Sequence, residues 1–364
     1  MKFFVTAAAF AATAIVTVQA SLISKSLTPT LYVFGDSLSD IGTLKQMTAG
    51  LLPPSPYWKG RFSSGPVWNE YLAKLLGYDL YNKAIGGSTS DNDNSAILDF
   101  FNQGLPINIP STEDQINYFK VIRPGYALSP TRNNDIAVLE VGANDFFAEM
   151  LNLSTETLSV SSFVDTLSNA VVKQLERLRS IGFKNIIVTD LAAIQYTPFA
   201  DILNMEDLAN STVSLYNQVV ARKVNAWADS ASGLDLFAVA EIGKFVEVTA
   251  KSDTVLNALG ISNVKTSCVG GNVLNLVQSD NKLIALLKLV LDAKQNLMCS
   301  NPSTNYFFDF VHPAERIQRL FGYYSSELIN AIKQGKSLEM TEATMLFLIQ
   351  KYNLGTDAPK PAAV

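Results

Sequence analysis

Five short apolar runs, separated by helical patterns, constrain this chain more than any other feature. The runs are 31–34 (LYVF), 81–85, 136–141 (IAVLEV), 185–189 (NIIVT) and 234–239 (LDLFAV). Each is short enough for a strand buried on both faces. The first three end at Gly35, Gly86-Gly87 and Gly142. Helical spacing fills the gaps. A helix over 67–76 follows Gly65-Pro66, one over 163–181 stops at Gly182, and 208–230 is a third amphipathic stretch. Pro313 opens a long helix through about Lys333, since proline is tolerated in a first helical turn. Strands alternating with helices predict an α/β fold with a parallel sheet covered on both faces. Ligands in such folds bind at the carboxyl ends of the strands.

Composition narrows the function. Of 364 residues, 48% are hydrophobic and 17% charged, which excludes a disordered chain. Lys plus Arg number 28 and Asp plus Glu 33, a net charge of −5, so no nucleic-acid partner is expected. The chain has a single histidine, His312, and two cysteines, too few for a multi-histidine zinc site or its thiolate equivalent. No metal or other cofactor is expected.

The N-terminus reads as a targeting segment. Lys2 precedes the apolar stretch 3–18, and Val18-Gln19-Ala20 fits a small-residue cleavage rule. Residues 1–20 are therefore expected to be a signal peptide, leaving a secreted, extracellular chain without a transmembrane anchor. Residues 21–29 then form a lead-in. Residues 30–335 form one domain with an insertion around 240–305, and 336–364 hold a C-terminal helix and a mobile tail. An oxidising compartment would let Cys268 and Cys299 pair; the alternative is two buried free thiols. Asn152 and Asn210 head glycosylation sequons, whereas Pro302 excludes Asn301.

The residues able to do chemistry gather after the strands. Ser37 follows the first run on a glycine turn, and a serine hydroxyl needs a base to become a nucleophile. His312 is the one imidazole, and Asp309, three residues before it, can reach a ring nitrogen and stabilise imidazolium. Ser37, His312 and Asp309 make a complete acyl-transfer triad if the fold joins the chain ends. The N–H groups of Ser37 and Gly87 and the Asn144 amide are candidate oxyanion donors. Each feature also has a structural reading: a turn, a satisfied core histidine, a helix cap.

Two further features stay open. The apolar stretch 280–298 is a hydrophobic flap over an acyl chain or, more simply, a core helix. Tyr57, Trp58, Phe62, Phe146 and Phe147 flank the glycine turns, where they line a substrate groove or serve as local core.

The chain resembles the GDSL esterases and lipases of the SGNH hydrolase superfamily. Four blocks carry the likeness, in order: Gly35-Asp36-Ser37-Leu38-Ser39-Asp40, Asn82 to Ser88 with Gly87, Gly142-Ala143-Asn144-Asp145, and Asp309 to Pro313 with His312. The likeness extends from about Thr30 to Lys333. It implies a flavodoxin-like three-layer α/β/α fold, Ser37 as nucleophile, His312 as base, Asp309 as its orienter, and Ser37, Gly87 and Asn144 as oxyanion hole. Cys268 and Cys299 resemble a cysteine pair in extracellular members. Thr43 and Ala314 depart from residues frequent in relatives, Asn and Thr, and leave the subfamily open.

The leading reading is a serine esterase or lipase acting on a small-molecule, lipid or acylated-carbohydrate ester. The alternatives are a polysaccharide acetyl esterase or lipid acyltransferase with the same machinery, and a non-catalytic binding protein on the same fold. The sequence carries no sign of oligomeric state.

Overall fold

The computed structural model describes residues 28–91, 108–271 and 273–357. The expected signal peptide, most of the lead-in and residues 358–364 of the tail lie outside the described residues.

Five strands form one sheet: β1 Thr30–Phe34, β2 Asp79–Asn82, β3 Ile136–Leu139, β4 Asn185–Thr189 and β5 Leu236–Ala240. Their order is β2-β1-β3-β4-β5, and every neighbouring pair is parallel. Parallel strands need crossovers, and helices supply them. In chain order the helices that matter here are α1 Trp68–Leu76, α2 Thr112–Ile122, α3 Ala143–Ser154, α4 Val160–Ile181, α5 Glu206–Ser230, α6 Ile242–Lys251, α7 Lys282–Leu291, α8 Glu315–Lys333 and α9 Glu342–Tyr352.

Strand alternation sorts the core into two layers. Tyr32, Phe34, Ala137, Leu139, Ile186 and Val188 face one side, where Phe119 of α2, Leu175 of α4 and Tyr216 of α5 pack on them. Leu31, Val33, Ile136, Val138 and Ile187 face the other, against Leu72 of α1, Phe245 of α6, Leu320 of α8 and Leu348 of α9. The result is the expected three-layer α/β/α sandwich.

Element ends moved where local hydrogen bonds compete with the pattern. The second strand was expected over 81–85 and lies at Asp79–Asn82. Lys83 and Ile85 still donate to the Val33 and Gly35 carbonyls of the neighbouring strand, at 2.8 and 3.0 Å, but the returning Gly35 N–H is taken by Gln115 Oε1 at 2.9 Å, and the ladder ends. The helix expected from Pro313 begins at Glu315, because Ala314 is extended, with ψ 163°, and stands as its N-cap. Cys268 and Cys299 are joined by a disulfide. They bracket the segment that contains α7. Among the described residues no helix is long and apolar enough to cross a membrane.

Candidate active site

The end of β1 delivers Ser37 through a tightly held turn. The Asp36 carboxylate oxygen Oδ1 accepts the Leu38 N–H at 3.0 Å, and the Asp36 carbonyl accepts the Ser39 N–H at 3.2 Å. Gln115 on α2 clamps the turn from below, donating to the Gly35 carbonyl and accepting the Gly35 N–H, both at 2.9 Å. Asn69 and Asn82 both donate to the Ser39 carbonyl, at 2.9 and 2.8 Å. Asp40 accepts the N–H groups of Gly42, Thr43 and Leu44, and that of Gly86 at 2.8 Å. That last bond ties the Ser37 turn to the turn after β2. Burial raises the Asp40 carboxyl, and these four N–H groups hold it back.

The turn after β2 needs its glycines. A Cβ on Gly86 would lie 2.3 Å from the Phe62 ring, and Gly87 has φ +89°. An ordinary side chain is excluded at the first and strained at the second.

His312 reaches the serine from the opposite end of the sequence. Its Nε2 lies 2.7 Å from Ser37 Oγ, and its Nδ1 lies 2.7 Å from Asp309 Oδ2. All three residues are buried, with 8%, 7% and 4% exposure for Ser37, His312 and Asp309. Asp309 Oδ1 accepts the N–H groups of Val311 at 2.9 Å and His312 at 2.7 Å, which fixes the carboxylate beside the ring. Burial pushes the Asp309 carboxyl up, but the His312 charge and the hydrogen bonds from His312, Tyr57 and Val311 outweigh it, and the net shift is down. It therefore stays ionised and can stabilise an imidazolium.

Tyr57 has a role that its sequence context does not reveal. Its hydroxyl donates to Asp309 Oδ2 at 2.6 Å, to the same oxygen that holds His312. Burial, then the Asp309 charge, raise its pKa well above the usual value, so it remains a donor. It is also core, 4% exposed and packed edge-on against Phe62 and Phe308. Phe62 packs its ring 5.0 Å from the His312 ring, and Phe147 lines the cavity beside the serine. Phe146 is core, and Trp58 is half-buried beside Lys59 and Arg61.

Asn144 opens α3, and its amide donates to the Ser88 carbonyl at 2.9 Å. Asp145 accepts the Ser90 N–H and its hydroxyl, the latter at 2.6 Å. Burial raises the Asp145 carboxyl to about 6 in spite of these bonds. The loops after β2 and β3 are thus sewn together. Ser37, Gly87, Asn144 and His312 all border one cavity.

A buried carboxyl pair, Asp36 and Glu140, is not legible in the sequence. Glu140, at the end of β3, accepts the Asp36 N–H through Oε2 at 3.3 Å. Both side chains are buried, and Asp36 Oδ2 has no hydrogen-bond partner among the described residues. Burial raises both carboxyls, and the Glu140 charge raises Asp36 further.

The stretch 280–298 is core and cavity wall at once. Leu283, Leu286, Leu287 and Val290 of α7 are buried and also line the cavity at Ser37. Asn152 and Asn210 are exposed, each on a helix. No cluster of metal-ligating side chains occurs among the described residues.

A serine, an imidazole and a carboxylate hydrogen-bonded in series, with further polar residues bordering the same cavity, form an arrangement able to carry out acyl transfer. The chain belongs to the GDSL-like Lipase/Acylhydrolase family, whose model matches residues 31–324. It is 28% identical over 245 residues to a phosphatidylcholine-sterol acyltransferase of Aeromonas hydrophila, covering 66% of this chain and 66% of that protein. It is 24% identical over 326 residues to GDSL esterase/lipase 6 of Arabidopsis thaliana, covering 82% of this chain and 86% of that one. Among solved structures, an acetyl xylan esterase, AlAXEase, aligns with a TM-score of 0.33 and 13% identity over 61% of this chain and 82% of that one.

Proposed function

We propose that this protein is a secreted serine esterase that cleaves carboxylic esters through an acyl-enzyme on Ser37. The observation that carries the reading is the relay from Ser37 Oγ to His312 Nε2 and from His312 Nδ1 to Asp309, each contact 2.7 Å. Ser37 Oγ attacks the ester carbonyl and its proton passes to Nε2. The negative oxygen that forms is held by the N–H groups of Ser37 and Gly87 and by the Asn144 amide. Collapse breaks the carbon–oxygen bond, and the imidazolium proton leaves with the alcohol. Water then repeats the sequence: its proton goes to Nε2, its oxygen bonds the acyl carbon, and Ser37 departs with the proton.

Residues 30–335 act as one catalytic domain in this reading, with 240–305 as an insertion. Secretion rests on the apolar stretch 3–18 after Lys2, and the disulfide suits an oxidising compartment. Asn152 and Asn210 would carry glycans in a host that attaches them. The Aeromonas relative favours a second outcome for the same intermediate, transfer of the acyl group to a lipid alcohol in place of water.

The test is turnover of a p-nitrophenyl ester by the wild type, Ser37→Ala and His312→Ala. Both variants should lose nearly all activity while keeping their thermal melt. A folded His312→Ala protein with full activity would end the proposal, since no other imidazole exists in the chain.

A further inference from the structure

We infer that the cavity beside Ser37 seats the straight hydrocarbon chain of the acyl group, and that α7 is its selective wall. This rests on the ester-hydrolase reading and adds the substrate class: esters of fatty acyl groups, not of acetate. The enclosed space amounts to about 70 Å³, room for several waters or a stretch of hydrocarbon, and it continues into an open mouth. Its polar side chains are Asp36, Ser37, Asn144, Thr197 and His312. All except Thr197 belong to the reaction centre or flank it. The remaining walls are apolar.

The inner stripe of α7 follows helical spacing. Leu283 and Leu287 stand four residues apart, as do Leu286 and Val290, so the four share one face. Ile242 and Val246, also four apart on α6, contribute further lining. A carbohydrate placed there would leave its hydroxyls without partners, a cost that hydrocarbon does not incur. The carbonyl must sit between Ser37 and the donors of Gly87 and Asn144, so the group attached to the acyl carbon continues along these walls. The alcohol must face His312 Nε2 to collect its proton. The segment bearing α7 is closed at its base by the Cys268–Cys299 disulfide, which anchors the wall to the domain.

The experiment compares kcat/KM for p-nitrophenyl octanoate and acetate. Substrates stay below their aggregation concentrations, and rates are corrected for uncatalysed hydrolysis. Octanoyl has six more methylenes than acetyl, and each one buried is worth about fourfold. Even half of that, realised in the transition state, makes octanoate roughly 50-fold better. Leu287→Trp and Val246→Trp fill the cavity from two helices, and each should cut the octanoate-to-acetate ratio at least about tenfold. A wild type indifferent to chain length or favouring acetate would overturn the inference. So would a ratio that neither folded variant moves. A preference for octyl acetate over ethyl acetate without one for octanoate would place the chain on the alcohol side, and overturn it too. If both variants fail to melt cooperatively, the wild-type ratio decides alone. A wild type inactive on every ester, or turnover surviving Ser37→Ala, would instead strike the ester-hydrolase reading itself.

Discussion

Replacing Glu140 by glutamine isolates one buried proton beside the nucleophile turn. Burial pushes the Glu140 carboxyl up to about 7, against hydrogen bonds from Asp36 and Ser39. A carboxyl raised on folding binds its proton more tightly in the native state. Its stabilising contribution is complete below the unfolded value of ~4.3 and is lost as pH rises through about 7. That gap, at about 1.36 kcal/mol per pH unit, is worth about 3–4 kcal/mol. Asp36 shares the site and is itself raised by burial and by the Glu140 charge, so the two titrate as a pair. Glutamine keeps an oxygen for the Asp36 N–H but carries no proton to lose. Urea unfolding at pH 5 and pH 9, with the disulfide intact, should show the wild type losing about 3 kcal/mol more than Glu140→Gln. Asp145 and Asp190, raised by burial to about 6 and about 7, remain in both proteins and cancel in the comparison. Equal pH dependence in the two proteins would refute the reasoning, as would a wild type that gains on the variant with rising pH.

Other residues give shorter tests. Asn144→Ala should lower kcat by roughly a hundredfold or more with little change in KM; a change confined to KM would make it a substrate contact. Tyr57→Phe removes a charge-assisted hydrogen bond from Asp309 and should lower kcat about tenfold at nearly constant KM, and an unmoved kcat would leave Tyr57 without a positioning role. Replacing Cys268 and Cys299 by serine opens a loop with a sequence separation of 31 and should cost about 3–4 kcal/mol in urea unfolding; no loss would mean that the unfolded chain is not restrained by the bridge.

Much of the architecture was legible because a parallel sheet buried on both faces leaves apolar runs. β4 matched its expected span of 185–189, and α4 and α5 began only a few residues early. Strand ends were less legible, since they depend on single hydrogen bonds such as that of the Gly35 N–H to Gln115. Ser37, His312 and Asp309 could be picked out because the chain has a single histidine and the aspartate sits three residues before it. Their supports could not. Tyr57 lies 252 residues from the aspartate it touches, and Glu140 lies 104 from Asp36. Such contacts are set by which strands become neighbours, and β1 beside β3 is not written in local pattern. The stretch 280–298 posed a choice between core and flap that the fold dissolved, because one face of α7 serves as both.

The central claim is that the acyl group passes through Ser37. Mass spectrometry of the protein treated with an alkyl fluorophosphonate tests it most directly, because such a reagent bonds covalently to an activated serine. The account predicts one adduct per chain, mapped to the peptide carrying Ser37, and none in His312→Ala over the same time. An adduct on another residue, or equal labelling of Ser37→Ala, would contradict it.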